Sequence, residues 1–174
     1  MDASLSYDRG PDTPPISEAT LGEAFDATVR RWPELDAVVC IEQGVRWTYG
    51  ELGRRVDAVA GALLGLGLEP GDRIGMWSPN CAEWAVMQFA TAKAGLVMVN
   101  INPAYRAGEA AFALNKAGVK ALVTTSPFKS TDYVAIVREL APESLTAAPG
   151  DLHAERLPQL RLLIHIGDDA PAGF

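Results

Sequence analysis

Residues 71–105 read GDRIGMWSPNCAEWAVMQFATAKAGLVMVNINPAY, and this stretch decides the fold. Residues 72–77 are a short, partly apolar run that predicts a strand. The wholly apolar run 96–99 predicts a second strand, covered on both faces of its sheet. The segment between them, 80–94, is apolar almost all round, which predicts a buried helix. Strand, helix and strand in this order form a βαβ unit, which is typical of a parallel sheet with helices on its faces.

Both ends of the predicted helix carry local signals. Asn80 can cap the free backbone N–H groups of the first turn, and Glu83 stands three residues later, as in a capping box. Gly95 follows the last apolar turn and can take the left-handed conformation that ends many helices. The sequence therefore predicts a helix from Asn80 to Ala94.

The chain before this unit begins with a segment of a different character. Residues 1–16 are polar and rich in Pro and Gly, so we expect a flexible N-terminal segment and a folded domain over 17–174. The sequence T-x-x-E at Thr20 is a capping box that predicts a first helix. This helix should end near Trp32, because Pro33 disfavours helical geometry in the residue before it.

A short hairpin and a second helix should follow. Strands are predicted over 36–42 and 45–47, joined by a tight turn in which Gly44 supplies the positive φ. A second capping box, formed by Thr48 and Glu51, then starts a helix. The domain therefore begins with a helix, a hairpin and a helix.

The chain after residue 105 alternates regularly between helical and strand patterns. Helices are predicted over 109–117 and 131–141, strands over 119–124 and 160–166, and a loosely patterned loop with a turn or two of helix over 143–158. From residue 71 onward the order is βαβαβαβ, which predicts right-handed crossovers. The predicted fold class is therefore α/β, a mainly parallel sheet with helices on both faces.

The composition limits the kind of protein. A chain of 174 residues can form one domain with a real core, and a net charge of -7 without clustered Lys and Arg argues against a nucleic-acid surface. Cys40 and Cys81 are far apart and lack zinc-type spacing, which indicates two free thiols rather than a zinc site or a disulfide framework. No apolar leader follows Met1 and no apolar run has the length of a membrane span, so we expect a cytoplasmic location.

Few residues could carry chemistry, and each has a simpler structural explanation. Gly65, Gly67 and Gly71 resemble a nucleotide loop, but they stand between a predicted helix and a strand, whereas such a loop must lead from a strand into a helix. A helix end followed by a turn is therefore the better interpretation. Asp151, His153 and Glu155 lie in a polar segment that could hold a metal only with further ligands. His165, Asp168 and Asp169 lie in or just after the last predicted strand, at the edge where α/β proteins bind ligands.

Four motifs, in this order, resemble those of AMP-forming acyl-CoA synthetases of the adenylate-forming superfamily. They are W-T-Y-G-E-L at 47–52, G-D-R-I with P-N and E-W at 71–84, K-A-G with N-I-N-P-A-Y at 93–105, and N-K-A-G with K-A-L-V at 115–123. The resemblance covers about residues 20–167 and implies part of the large N-terminal domain of that fold.

The resemblance also implies an activity for a full-length protein. Such enzymes activate a carboxylate with ATP and Mg²⁺ to give an acyl-adenylate and pyrophosphate, and then transfer the acyl group to CoA. The N-x-N-P-x-Y form of the third motif is similar to that of ligases for fatty acids and related carboxylates. The family's phosphate loop ending in P-K-G, its acidic Mg²⁺ ligand, its ribose-binding Asp and its C-terminal Lys are not among residues 1–174.

We therefore expect residues 1–174 to be an inactive front segment that binds no cofactor by itself. As an incomplete domain, it should self-associate through uncovered apolar surface. The alternative is a freestanding α/β module for binding or association. No residue is assigned as catalytic, cofactor-binding or metal-binding. Asn100, Asn102, Pro103 and Tyr105 could shape an acyl or CoA site or simply fix a loop. The other motif residues are explained by capping and packing: Thr48, Glu51, Asp72, Asn80, Glu83 and Trp84.

Overall fold

The computed structural model describes residues 10, 11, 13 and 16–174, so the predicted flexible segment 1–16 falls almost wholly outside the described residues. In chain order the elements are α1 (Leu21–Arg31), β1 (Asp36–Cys40), β2 (Val45–Thr48), α2 (Tyr49–Gly65), β3 (Arg73–Trp77), α3 (Ala82–Lys93), β4 (Val97–Asn100), α4 (Ala107–Ala117), β5 (Val119–Thr125), α5 (Tyr133–Leu140), a 3-10 turn (Pro142–Leu145) and β6 (Leu162–Ile166).

The sheet confirms the predicted fold class. Strands β3 to β6 form one sheet in the order β4-β3-β5-β6, and every neighbouring pair is parallel. Strands β1 and β2 form a separate antiparallel pair. The chain moves from β3 to β4 in one direction and then crosses back over β3 to reach β5. This reversal places a switch in strand order between β3 and β5, where α/β proteins commonly bind ligands.

Helices cover both faces of the sheet, as the sequence predicts. Ile74 and Met76 of β3 point into a cluster with residues of α1, α2 and α3. Trp77 of β3 and Leu122 of β5 belong to a second cluster with residues of α4 and α5. The core therefore lies in two apolar layers on either side of the parallel strands.

The first two helices begin as predicted, at local capping boxes. In α1 the Thr20 hydroxyl accepts the N–H of Glu23 at 3.2 Å, and the Glu23 carboxylate accepts the N–H of Thr20 at 2.8 Å. Thr48 and Glu51 repeat this pattern at α2, with distances of 3.2 and 2.9 Å. Both boxes join residues only three apart, so they form wherever the local sequence permits.

The predicted start of α3 is wrong. The helix begins at Ala82 with Cys81 at its cap position, and the Cys81 side chain makes no capping hydrogen bond. The N–H of Ala82 instead donates to the side-chain oxygen of Gln43 at 2.6 Å, and the Gln43 amide donates to Glu83 at 3.0 Å. The cap therefore comes from Gln43 in the β1–β2 turn. Gln43 also bonds the Glu83 carboxylate, which the predicted capping box with Asn80 would need.

Two further predictions are corrected by the structure. Strand β4 is an edge strand with Val97 48% exposed, so within the described residues it is not covered on both faces. Helix α4 begins at Ala107, two residues before the predicted start, because the Glu109 carboxylate accepts the N–H of Arg106 at 3.0 Å. The predicted bounds of the remaining strands and of α5 agree with those observed to within two residues, and several ends coincide.

Among the described residues, none of the helices combines the length and the apolar character that crossing a membrane requires.

Candidate functional site

Three loops meet at the carboxyl edge of the parallel sheet. Residues 78–81 follow β3, residues 101–106 follow β4, and residues 126–132 follow β5. The helix after β3 packs on one face and the helix after β5 on the other, so the loops diverge above the switch in strand order. Open α/β sheets bind ligands in the crevice that such divergence creates.

A cavity of about 380 Å³ opens between these loops, and we call it the carboxyl-edge cavity. Its walls include Asn80 from the first loop, Pro103 and Arg106 from the second, and Lys129 from the third. Arg106 and Lys129 supply the cationic side chains of this wall. Because two cationic residues from different loops line the same space, the cavity is suited to an anionic group.

The loop after β3 is fixed by side chains of neighbouring elements. The indole N–H of Trp84, on α3, donates to the carbonyl of Pro79 at 3.0 Å. The hydroxyl of Thr124, at the end of β5, donates to the carbonyl of Trp77 at 3.0 Å. These bonds explain the motif residue Trp84 as a holder of the loop.

The loop after β4 is held from two sides by buried aromatic donors. The indole N–H of Trp77 donates to the carbonyl of Asn102 at 3.1 Å, and the hydroxyl of Tyr133 donates to the carbonyl of Pro103 at 3.3 Å. The side chain of Asn102 accepts the N–H of Ala104 at 2.9 Å, which closes a local turn. The loop that carries the N-I-N-P-A-Y motif is thus held in shape by side chains of β3 and α5 and by its own turn.

The loop after β5 forms a tight reversal that presents Lys129. Phe128 and Thr131 exchange backbone hydrogen bonds at 2.9 and 3.0 Å, and Lys129 between them has a φ of 52°. A positive φ is unfavourable for a residue with a side chain, so this turn carries backbone strain at the mouth of the cavity. Arg106 donates to the carbonyl of Ser130 at 3.4 Å, which ties this loop to the preceding one.

The helix N-termini at this edge are already occupied. Gln43 accepts the first free N–H of α3, Glu109 engages the start of α4, and Asp132 accepts the N–H of Ala135 in α5 at 2.9 Å. A free helix N-terminus is the usual phosphate site of an α/β sheet. In the described part of the chain, carboxylates or an amide fill these positions, and the carboxylates would repel a phosphate.

A second cavity, of about 440 Å³, lies between α2, α3 and the ends of β5 and β6. Its walls are mostly apolar, and we call it the apolar groove; Met87 and Ile164 are among its residues. At its rim the Arg55 guanidinium stacks on the Trp47 ring, 4.2 Å from the ring centroid. Burial by itself raises the pKa of nearby Glu83, but hydrogen bonds, mainly from Gln43, and the charge of Arg55 lower it overall.

The glycines that resemble a nucleotide loop lie between α2 and β3. Gly65 is the last residue of α2, while Gly67 and Gly71 have φ values of 81° and 89°. They form a helix end and a turn at the amino edge of the sheet, opposite the carboxyl-edge cavity. They lead from a helix into a strand, so no helix N-terminus follows them directly.

The titratable candidates do not form one site. His153 contacts Asp151 at 3.0 Å, with both side chains exposed, and the N–H of Glu155 donates to the Glu143 carboxylate at 3.0 Å. Within residues 16–174 and the few described before them, no group of three His, Cys, Asp or Glu is placed to hold a metal ion. Cys40 and Cys81 are free thiols.

His165 is half-buried on β6, and its Nε2 lies 3.5 Å from the hydroxyl of Ser126. Its Nδ1 is buried and has no hydrogen-bond partner among the described residues. Asp168 and Asp169 follow β6 and are exposed. The structure thus places these residues at the carboxyl edge, beside β5 rather than in the carboxyl-edge cavity.

Sequence reasoning singled out Pro103, which lines this cavity, but missed its two cations. Arg106 and Lys129 each follow a strand of the βαβ pattern, so a cation shortly after a strand end was the available signal. Trp77 and Tyr133 look like ordinary core aromatics in the sequence. Their roles as hydrogen-bond donors depend on contacts with residues 25 and 30 positions away.

Comparison with known proteins finds one matching family model and relatives that are named as acyl-CoA ligases or synthetases. The family model described as AMP-binding enzyme matches residues 25–170. The mitochondrial medium-chain acyl-CoA ligase ACSF2 of Danio rerio is 42% identical over 171 residues, which are 98% of this chain and 28% of that protein. The putative acyl-CoA synthetase YngI of Bacillus subtilis is 36% identical over 91% of this chain and 29% of its own. The chain thus spans somewhat over a quarter of these relatives.

Solved structures show the same fold. A putative long-chain-fatty-acid CoA ligase from Rhodopseudomonas palustris superposes with a TM-score of 0.72 at 26% identity, over 88% of this chain and 34% of that one. The N-terminal domain of FACL13 from Mycobacterium tuberculosis gives a TM-score of 0.71 at 24% identity, over 84% of this chain and 34% of that one. The sheet, its crossovers and its helices are therefore an arrangement that these proteins share.

Proposed function

The chain belongs to the AMP-binding enzyme family, and we propose that it is the front segment of an ATP-dependent, AMP-forming ligase that joins a fatty acid to CoA. The observation that carries this proposal is the family match over residues 25–170, together with 42% identity to a medium-chain acyl-CoA ligase. The complete enzyme would form an acyl-adenylate and pyrophosphate from the carboxylate and ATP. It would then transfer the acyl group to the CoA thiol and release AMP.

The substrate class we propose is a medium-chain fatty acid. Seven of the similar curated proteins carry the name medium-chain acyl-CoA ligase. The N-x-N-P-x-Y form of the motif at 100–105 also resembles that of fatty-acyl ligases. Acyl selectivity is tested by comparing kcat/KM for short-, medium- and long-chain acids in the complete enzyme.

Within that enzyme the carboxyl-edge cavity would serve the CoA substrate. CoA carries several phosphate charges, and the cavity is lined by Arg106 and Lys129 from two loops that the Arg106–Ser130 hydrogen bond ties together. Pre-positioned cations bind phosphate without the cost of ordering a loop. In this proposal the loop after β4 takes its shape from four motif residues and so affects CoA binding indirectly: Asn100, Asn102, Pro103 and Tyr105.

ATP and Mg²⁺ would be held by parts of the enzyme beyond residues 1–174. The helix N-termini of the carboxyl edge are occupied by Gln43, Glu109 and Asp132. Stabilisation of a phosphoryl-transfer transition state needs pre-organised cations and N–H groups around the phosphate. We therefore propose that this segment alone neither forms adenylate nor binds ATP tightly.

The isolated segment should also self-associate. The apolar groove between α2, α3 and β6 leaves Leu66 51% exposed and Trp47 and Ile164 half-buried on one side of the sheet. Because contiguous apolar surface is costly to expose to water, we propose that a second copy covers this groove at high concentration. A clean monomer in sedimentation velocity, with no binding of an apolar dye, would contradict this.

The cellular location of this chain is also proposed rather than shown. The vertebrate relatives are named as mitochondrial proteins, which describes those proteins alone. For this chain we keep the prediction of a cytoplasmic location, and fractionation of the native host with an antibody to residues 17–174 tests it.

The first experiment is to read the gene beyond the codon for Phe174. A Ser/Thr/Gly-rich loop ending in P-K-G supports the ligase, whereas an immediate stop codon supports the freestanding module. The longer protein should release pyrophosphate with a medium-chain acid and ATP, and should form acyl-CoA when CoA is added. Pyrophosphate release by purified residues 1–174 would show that the segment is not inactive.

The CoA assignment is tested by kinetics of the longer protein. Arg106→Ala and Lys129→Ala should each raise the KM for CoA about tenfold, while pyrophosphate release without CoA is unchanged. Lys116→Ala is the matched control, since Lys116 lies on α4 beside the Phe112 ring and does not line the cavity. An unchanged KM for CoA in both variants would overturn this role.

A further inference from the structure

Two buried aromatic side chains converge on consecutive peptide units of the loop after β4. Trp77 and Tyr133 have 0% and 1% exposure, and their rings meet edge to face with centroids 5.1 Å apart. Trp77 reaches the carbonyl of Asn102 from β3, and Tyr133 reaches the carbonyl of Pro103 from the first turn of α5. One loop is therefore held by two elements on different sides of it.

The chemistry of the two donors suits this task. An indole N–H can only donate, and a buried phenol remains protonated because burial raises the pKa of Tyr133. Each donor is satisfied by the loop carbonyl, so both carbonyls are directed into the core. A buried polar group that loses its partner destabilises the fold, and this opposes any movement of the loop away from the pair.

The loop held in this way forms a wall of the carboxyl-edge cavity. Pro103, Ala104 and Arg106 all line it, and Tyr133 itself reaches its inner surface. Arg106 follows the second anchored carbonyl by only three residues. A shift of the anchored peptides would therefore move the Arg106 backbone and with it one of the two cations of the cavity.

We propose that Trp77 and Tyr133 are positioning residues that set the place of Arg106, and so the affinity of the cavity for its anionic substrate. This inference rests on the proposed function, because it assigns the two aromatics to the CoA step. Neither residue touches the reacting atoms. They act through the carbonyls of Asn102 and Pro103, and packing alone would not require their polar atoms.

The first test needs only residues 1–174. Tyr133→Phe removes one hydroxyl and keeps the ring, so the core should remain folded. Hydrogen exchange should become about fivefold faster at the amides of Ala104 and Tyr105, which bond within the held loop. Tyr49→Phe is the matched control, because Tyr49 packs in the opposite apolar layer. Equal exchange in the two variants would overturn the inference.

The second test uses the longer ligase. Tyr133→Phe and Trp77→Phe should each raise the KM for CoA about fivefold, with the rate of CoA-independent pyrophosphate release unchanged. A merely structural role predicts a lower Tm and equal losses in both half-reactions, and that result would overturn the inference. If the wild-type longer protein shows no ligase activity, the proposed function fails instead, while the exchange comparison still decides whether the two donors hold the loop.

Discussion

The side-chain oxygen of Gln43 accepts a hydrogen bond from the backbone N–H of Ala82 at 2.6 Å. A residue in the β1–β2 turn thus caps helix α3, and its amide also donates to the Glu83 carboxylate at 3.0 Å. The antiparallel pair is thereby joined to the βαβ core by polar contacts as well as apolar ones. It also fills the helix N-terminus that would otherwise be open to an anion.

Because Gln43 caps α3 and Asn80 does not, replacing each by Ala should change the stability by different amounts. Gln43→Ala should lower the free energy of unfolding by about 1 kcal/mol, as loss of a helix cap does. Asn80→Ala should change it by less than about 0.5 kcal/mol, because Asn80 does not cap the helix. Urea unfolding followed by circular dichroism measures both. A larger loss for Asn80→Ala would mean that the local capping box forms after all.

Lys93 joins three helices, and its ion pairs should contribute more to the stability of the fold than an exposed ion pair does. Its ammonium contacts Asp26 of α1 at 2.6 Å and also Asp57 of α2. Lys93→Met should cost about 1 kcal/mol of stability, and Asp26→Asn should cost more than Asp57→Asn, whose side chain is 64% exposed. A double-mutant cycle of Lys93 with Asp26 gives the coupling, and a coupling near zero would contradict the assignment.

Asp72 gives the stability a specific pH dependence. Burial raises its pKa, but hydrogen bonds from Lys120 and from the N–H of Glu69, with the charges of Lys120 and Arg73, lower it overall from 3.8. A carboxyl with a lowered folded pKa stabilises the fold above its unfolded pKa and loses that contribution as the pH falls through the folded one.

The Asp72→Asn variant should therefore be about 1 kcal/mol less stable than the wild type at pH 7. This difference should shrink as the pH falls below 3.8. Thermal unfolding at several pH values measures it, and the exposed residue Asp169, changed to Asn, is the control. A difference that stays constant down to pH 3 would contradict the role of the Asp72 charge.

Two glycines should respond to the same substitution in opposite directions. Gly118 has a φ of 62°, and a Cβ there would meet the side chains of Gln159 at 2.6 Å and Arg73 at 2.7 Å. Gly118→Ala should therefore cost about 1 kcal/mol or more. Gly61 lies within α2 with open space around it, so Gly61→Ala should gain about 0.5–1 kcal/mol. Chemical denaturation of both variants checks the signs, and a destabilising Gly61→Ala would contradict the assignment of α2.

Much of the fold was accessible from local sequence. The capping boxes of Thr20 and Thr48 and the helix end at Gly95 join residues within a few positions, so their geometry follows from the residues themselves. The alternation of apolar runs after residue 71 likewise fixed the parallel sheet, because parallel strands need a crossover between them.

The tertiary structure decided the order of the strands and the content of the site. Period and propensity do not say that β4 lies at an edge, or that Gln43 rather than Asn80 meets the start of α3. Trp77 and Tyr133 reach the loop across more than twenty residues of chain, and a similar separation divides Arg106 from Lys129, which line the same cavity. Such pairs form only when crossovers bring distant strand ends to one edge, so local sequence signals cannot reveal them.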